Sequence, residues 1–349
     1  MESPVEEGAL TLLERITEAL LDPACYPRGA DRVESVETHM SRLFFTERHV
    51  YKLKKPVKYP FLDFSTPQAR HLDCREEVRL NRRLAADVYF GAVPLKLRSD
   101  NRIGIAGEGE GIDWLVEMRR LPRGLMLDEM IRERRLRERH IVMLADRMVP
   151  FYRYAEPAGL TPVAYLADLR RDIVTDCAEL IKFLPERRLQ LARIQESLLT
   201  YLETAAPILG ERVRRGRIVE GHGDLRPEHI CLEEPPAVFD CLEFNRRFRL
   251  VDPVDELGFA GLECEYLDRP GVGRRLLHHY REATGDQFDR RIVTFYKATR
   301  ALMRARLALR HLPELPPDAW ERWQTQADRY LALAAHHADR LQAPLRRHR

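Results

Sequence analysis

The densest group of chemically capable side chains lies in GHGDLRPEHICL, Gly221 to Leu232, followed by VFDCLEF, Val238 to Phe244. These strings read as a short hairpin in which LRPEHI connects two strands and EEPP makes the turn, with Asp224, His229, Asp240 and Glu243 displayed on it. Two carboxylates carried this way can face one cavity, one orienting a hydroxyl nucleophile and the other holding a divalent cation. A carboxylate between apolar neighbours such as Val238, Phe239 and Leu242 is an expensive core filler unless its charge is used.

A second signal is the use of lysine. Only seven of the 58 basic residues are lysines, and four of them, Lys52, Lys54, Lys55 and Lys58, fall in VYKLKKPVK. Lys and Arg are not interchangeable, so the clustering points to a need for a compact ammonium there. Alternation along a strand puts Val50, Lys52 and Lys54 on one face. No G-x-x-x-x-G-K-[ST] string occurs, which excludes a P-loop site within this sequence. The GEGEG stretch at Gly107, Gly109 and Gly111 carries Glu108 and Glu110, which would repel phosphate, and it reads as a turn.

The elements that must position these residues fall into two groups. Leu10, Leu13, Ile16 and Leu20 have helical spacing, and Pro23 and Pro27 stop that helix. Arg32 to Lys55 reads as consecutive strands with a turn at TERH, Leu72 to Tyr89 as an amphipathic helix, and AVPLKLRS and IDWLVEMRRLP as two further strands. From Pro122 the patterns are helical, RERRLRERH (Arg132 to His140) reading as a solvated helix face. A strand island near 216–251 interrupts them. Asp252, Pro253 and Asp255 match a capping box that starts the next helix, and the terminal LRRHR reads as disordered. Strands and helices are segregated, which predicts an α+β fold with two lobes: an N-terminal helix over 1–29, a β-rich N-lobe over 30–120, and a helical C-lobe over 121–349 carrying the hairpin.

The 349 residues are 44% hydrophobic and 32% charged, and the formal net charge is only +3. That balance points away from nucleic acid or an anionic membrane as a partner. The first 30 residues lack a signal-peptide pattern and no stretch approaches a membrane span, so a cytoplasmic protein is expected. Cys25, Cys74, Cys177, Cys231, Cys241 and Cys264 form no C-x-x-C pair and read as reduced, mostly buried thiols. His278 and His279 lack metal-ligand partners at useful spacing.

HGDL, a downstream FD and then an acidic D-P-x-D-E-L resemble the aminoglycoside phosphotransferase and choline kinase group of protein-kinase-like enzymes. VYKLKKP resembles the lysine strand of the small lobe, CREEVRLNRRL the helix whose glutamate pairs with that lysine, and WLVEMRRLP the strand between lobes. VETHMSRLFF, KLKKPVKYPFLDFST, LNRRLA, HGDLRPEHICL and DCLEFNRRFR are similar to a bacterial branch of that superfamily, some members of which carry an additional C-terminal P-loop kinase domain. The resemblance covers roughly residues 30–290.

It implies a protein-kinase-like fold and ATP-dependent phosphoryl transfer to a hydroxyl of a small molecule, with ATP between the lobes and Mg2+ as the cofactor metal. Lys52 would then contact the α- and β-phosphates, with Lys54 as the alternative, and Glu77 would be the lysine's helix partner, with Glu76 as the alternative. The backbone of Met118 and its neighbours would hydrogen-bond adenine. Asp224 would orient the acceptor hydroxyl, His222 would brace the loop, and Asp240 would hold the metal.

Two positions depart from the pattern. His229 stands where the family has a metal-binding Asn, which favours Mn2+, single-metal chemistry on Asp240, or a catalytically impaired nucleotide-binding regulatory module. Arg226 stands where many protein kinases have a lysine. It can supply transition-state charge or form a surface salt bridge with neighbours. Nothing resembles the D-F-G and A-P-E pair of protein kinases. The identity of the acceptor, a role in antibiotic resistance and the oligomeric state are not encoded in these motifs.

Overall fold

A computed structural model describes residues 4–59, 62–310 and 312–342; the terminal LRRHR lies outside them. The described chain clusters into two compact units. One runs to Met126 and takes in His229–Phe248; the other comprises Leu127–Glu228 and the chain from Arg249 onward.

In the first unit, α1 (Pro4–Leu21) precedes strands β1 (Glu34–Glu37), β2 (Ser41–Phe45) and β3 (His49–Lys54), the short pair β4 (Lys58–Tyr59) and β5 (Leu62–Asp63), helix α2 (Pro67–Asn81), and strands β6 (Tyr89–Leu97), β7 (Ile103–Ile105) and β8 (Glu110–Arg119). Six strands form an antiparallel sheet in the order β1-β2-β3-β8-β6-β7. The β2–β3 turn falls at the TERH segment, where Thr46 Oγ1 accepts from the His49 N–H. Helix α2 starts earlier than its apolar periodicity suggests, because Thr66 caps it by accepting from the Ala69 N–H and Pro67 occupies the first turn. It ends at Asn81, short of the expected Tyr89, which belongs to β6. Its buried face, with Cys74 and Val78, joins Val50, Tyr89, Val116 and Met118 in one core cluster, while Ile16 and Leu20 of α1 join Phe44, Tyr51, Leu53 and Leu115 in another.

The second unit is mainly helical, with α3 (Leu127–Arg132), α4 (Glu138–Tyr154), α5 (Pro162–Phe183) and α6 (Arg188–Arg214). RERRLRERH is not one helical face: α3 stops at Arg132, and Arg134 adopts a left-handed φ of 56° in the link to α4. The island holds β9 (Val219–Glu220), β10 (Ile230–Cys231), β11 (Ala237–Val238) and β12 (Leu250–Val251). The β10–β11 hairpin turns at the EEPP segment and belongs to the first unit, whereas β9 pairs with β12 in the second. Helices α7 (Pro253–Tyr266), α8 (Gly271–Thr284), α9 (Arg290–Arg310) and α10 (Trp320–Gln342) follow. Helices α7 and α8 approach to backbone contact: a Cβ on Gly261 would lie 2.7 Å from the Gly273 Cα.

At the start of α7, Asp252 caps the helix by accepting from the Val254 N–H. The capping box does not close through Asp255, whose carboxylate instead takes Arg300 Nη2 at 2.6 Å. All six cysteines are free thiols, and all but Cys25 are buried. Among the described residues no helix is long and apolar enough to cross a membrane.

Candidate active site

In the first unit, β3 presents Lys52 between two carboxylates. Its ammonium donates to Glu77 Oε1 at 2.9 Å and to Asp240 Oδ1 at 3.0 Å. Burial would lower the pKa of Lys52, but Asp240 and then Glu77 hold it well above the ordinary lysine value. Burial would raise the Glu77 carboxyl, but Lys52 and then Lys54 hold it below its ordinary value. The Glu77/Glu76 alternative is resolved structurally: Glu77 faces the lysines, and Glu76 turns outward to Arg79.

Asp240 follows β11 with a left-handed φ of 60°, a backbone state uncommon for a residue with a side chain. Its N–H donates to the Tyr89 hydroxyl at 3.2 Å, and the next N–H, of Cys241, donates to Asn81 Oδ1 at 2.9 Å. The end of α2 and the start of β6 therefore fix where this carboxylate points. His229 is buried, with Nε2 3.4 Å from Asp240 Oδ2.

Lys54 differs from the sequence expectation. It is 1% exposed and enclosed by Glu77, Glu243 and Asp73, so it does not offer its ammonium to a phosphate. Burial pushes the Glu243 carboxyl up from its ordinary range. Met118 sits inside β8, paired with Val50 on one side and Tyr89 on the other.

In the second unit, the segment after β9 carries His222, Gly223 and Asp224. The carboxylate of Glu256, on α7, accepts from the His222 N–H at 3.0 Å, from the Gly223 N–H at 2.5 Å and from the Tyr152 hydroxyl at 2.8 Å. The His222 ring is buried and accepts from the Asp224 N–H at 3.3 Å, bracing the turn. Arg226 bonds Asp224 Oδ2 at 2.9 Å and Glu228 Oε1 at 2.6 Å. The arginine is thus the partly buried counter-ion of Asp224 rather than half of a surface pair. Burial opposes its charge, but Asp224 holds its pKa above the usual value.

Sequence reasoning passed over Glu256 because D-P-x-D-E-L drew attention to the capping residues. It also passed over Asp73, one helical turn before Glu77, whose spacing was the available signal.

A Cβ on Gly221 would lie 2.5 Å from Val251 Cγ2 and 2.7 Å from Glu256 Oε2, the carboxylate that holds the loop. Gly221→Ala is expected to destabilise the protein by about 1–3 kcal/mol in denaturant unfolding; an unchanged midpoint would mean that the loop is not tightly held.

Four carboxylates, Asp73, Glu77, Asp240 and Glu243, accompany two ammonium groups, Lys52 and Lys54, in this cluster. Asp240, with its side chain 43% exposed, is the most open of the four.

No protein-family profile matches the sequence. An uncharacterised protein of Mycobacterium tuberculosis strain H37Rv is 28% identical over 306 residues, covering 86% of this chain and 59% of that protein, and an uncharacterised Mycobacterium bovis protein matches equally. The chain spans less than two thirds of the length of these relatives.

Among solved structures, the AMP-bound complex of spectinomycin phosphotransferase superposes with a TM-score of 0.52 at 11% identity, covering 92% of this chain and 97% of the other. A thermostable aminoglycoside phosphotransferase in ternary complex with AMP-PNP and hygromycin B gives 0.50 at 12% identity, over 92% and 98%. An ethanolamine kinase of Plasmodium vivax gives 0.50 at 10% identity, over 99% and 95%. With its six-stranded antiparallel sheet and its mainly helical second unit, the chain has the protein-kinase-like fold of these phosphotransferases.

Proposed function

We propose that the protein is an ATP-dependent phosphotransferase acting on a hydroxyl group of a small molecule. The observation that carries this reading is Lys52 held between Glu77 and Asp240: a charged, oriented ammonium beside a partly exposed carboxylate. Lys52 binds the nucleotide phosphates and Glu77 keeps it aimed. Asp240 holds Mg2+ or Mn2+, which when bound neutralises phosphate charge. Asp224 accepts a hydrogen bond from the acceptor hydroxyl and aligns it for in-line attack, and Arg226 balances its charge. The nucleotide complexes of the aminoglycoside and spectinomycin phosphotransferases support the choice of an adenine nucleotide.

Transfer from γ-labelled ATP into a bacterial metabolite extract, with Mg2+ and with Mn2+, tests this reading. A small labelled product that depends on Asp224 is expected, and its absence under both metals would favour a nucleotide-binding regulatory module. His229 bears on the choice of metal. Imidazole suits transition metals, and this ring sits against Asp240, so His229→Asn is expected to shift activity from Mn2+ toward Mg2+. A ratio of Mn2+-supported to Mg2+-supported rates unchanged by the substitution would remove His229 from the metal site.

A further inference from the structure

Lys54 sits two positions after Lys52 on the same face of β3, yet its surroundings are different. Its ammonium donates to Glu77 Oε2 at 2.6 Å and to Glu243 Oε1 at 2.5 Å, and Asp73 Oδ2 lies 2.6 Å away. That Asp73 oxygen is buried without a hydrogen bond, so its charge is met by the ammonium through proximity alone. Glu77 is divided between the two lysines, Oε1 to Lys52 and Oε2 to Lys54. One oxygen from each of Asp73, Glu77 and Glu243 falls within 4.8 Å of the others, a spacing able to hold a metal ion. The ring of Phe64 closes one side, 5.2 Å from Nζ.

We propose that Lys54 is a positioning residue: a built-in ammonium occupying a three-carboxylate cation cage, which ties β3, α2 and the segment after Asp240 together and fixes Glu77 so that its other oxygen is presented to Lys52. It does not touch the nucleotide. The consequence for nucleotide binding rests on the phosphotransferase reading; occupancy of the cage does not.

Removing the ammonium opens the space between three carboxylate oxygens that lie within 4.8 Å of one another, with Lys52 still on the other oxygen of Glu77. Lys54→Ala is therefore expected to bind one more Mn2+ per chain than the wild type, without nucleotide, as counted by electron paramagnetic resonance of free Mn2+. Lys54→Arg keeps the charge and gains none. The extra site disappears in Lys54→Ala combined with Glu243→Gln. AMP-PNP affinity is expected to fall about 10-fold or more in Lys54→Ala and to be largely kept in Lys54→Arg, as for residues that orient a directly binding group. Equal Mn2+ uptake by wild type and Lys54→Ala, together with equal AMP-PNP affinity, would overturn the proposal.

Competitive amine labelling of the wild-type protein provides a test that no folding defect can obscure. Lys54 is expected to be the least reactive of the seven lysines and insensitive to AMP-PNP. Protection of Lys54 by AMP-PNP would overturn the proposal. If AMP-PNP protects no lysine while Lys54 stays inert and the Mn2+ result holds, the cage stands and the nucleotide reading fails.

Discussion

Asp224→Asn is expected to lower turnover by about 10²–10⁴-fold, the range typical of losing a group that manages a proton in the transition state, while leaving AMP-PNP affinity unchanged. The amide has the shape of the carboxylate but cannot take a developing proton, and it gives a hydroxyl no charged acceptor. The substitution should not disturb the local fold. The His222 and Gly223 amides remain on Glu256, and Arg226 keeps Glu228 at 2.6 Å when Asp224 loses its charge. Steady-state transfer to the acceptor found in the extract gives kcat and KM, and equilibrium titration with AMP-PNP gives affinity. A variant turning over at the wild-type rate would remove Asp224 from the chemistry. Loss of nucleotide affinity in step with turnover would make it a binding residue instead. Arg226→Met separates the two effects of that arginine: if it only balances charge, nucleotide affinity holds and turnover falls less than with Asp224→Asn.

The motifs of the candidate site are visible in the sequence because they are local. HGDL lies within one turn, Lys52 within one strand, and Glu77 within one helix, so each is visible as a string. What could not be read is which strings meet. Lys52 and Lys54 share a strand face and are equivalent by periodicity, and only the folded chain shows that Asp240 reaches the first while Asp73 and Glu243 enclose the second. For Met118 the string IDWLVEMRRLP reads as strand throughout, and only the folded chain shows Val50 and Tyr89 paired on either side of it. The mixed-charge run after Arg132 has helical spacing throughout, and the chain nevertheless leaves the helix there. For His222, the reading of a loop brace agrees with its buried ring and its bond to the Asp224 N–H.

The largest stability effect is expected from a residue that no motif singles out. Arg212, near the end of α6, forks onto two buried carboxylates: Nε and Nη2 meet Asp252, the latter at 2.7 Å, while Nη1 and Nη2 meet Asp286 at 3.0 and 2.8 Å. All three side chains are buried, and Tyr296 and Tyr280 donate to the same two carboxylates at 3.2 and 3.1 Å. Burial works against the guanidinium, but Asp252 holds its pKa well above the usual arginine value. Arg212→Met removes the cation that joins these two buried acids and leaves only Arg217, 3.8 Å from Asp286, near either of them among the described residues.

Breaking such a group by deleting one partner costs about 3–5 kcal/mol, measured as the loss in urea unfolding free energy. Lysine at 212 is expected to recover only part of it, since one ammonium cannot reproduce the forked geometry. Arg214→Met, two residues on at an exposed pair with Glu211, is the control and should leave the unfolding midpoint unchanged. Asp252 also caps α7, the helix from which Glu256 holds the His222 and Gly223 amides, so the damage is expected to reach the Asp224 loop. Turnover in Arg212→Met should therefore fall even at temperatures where the chain is still folded, with AMP-PNP affinity less affected.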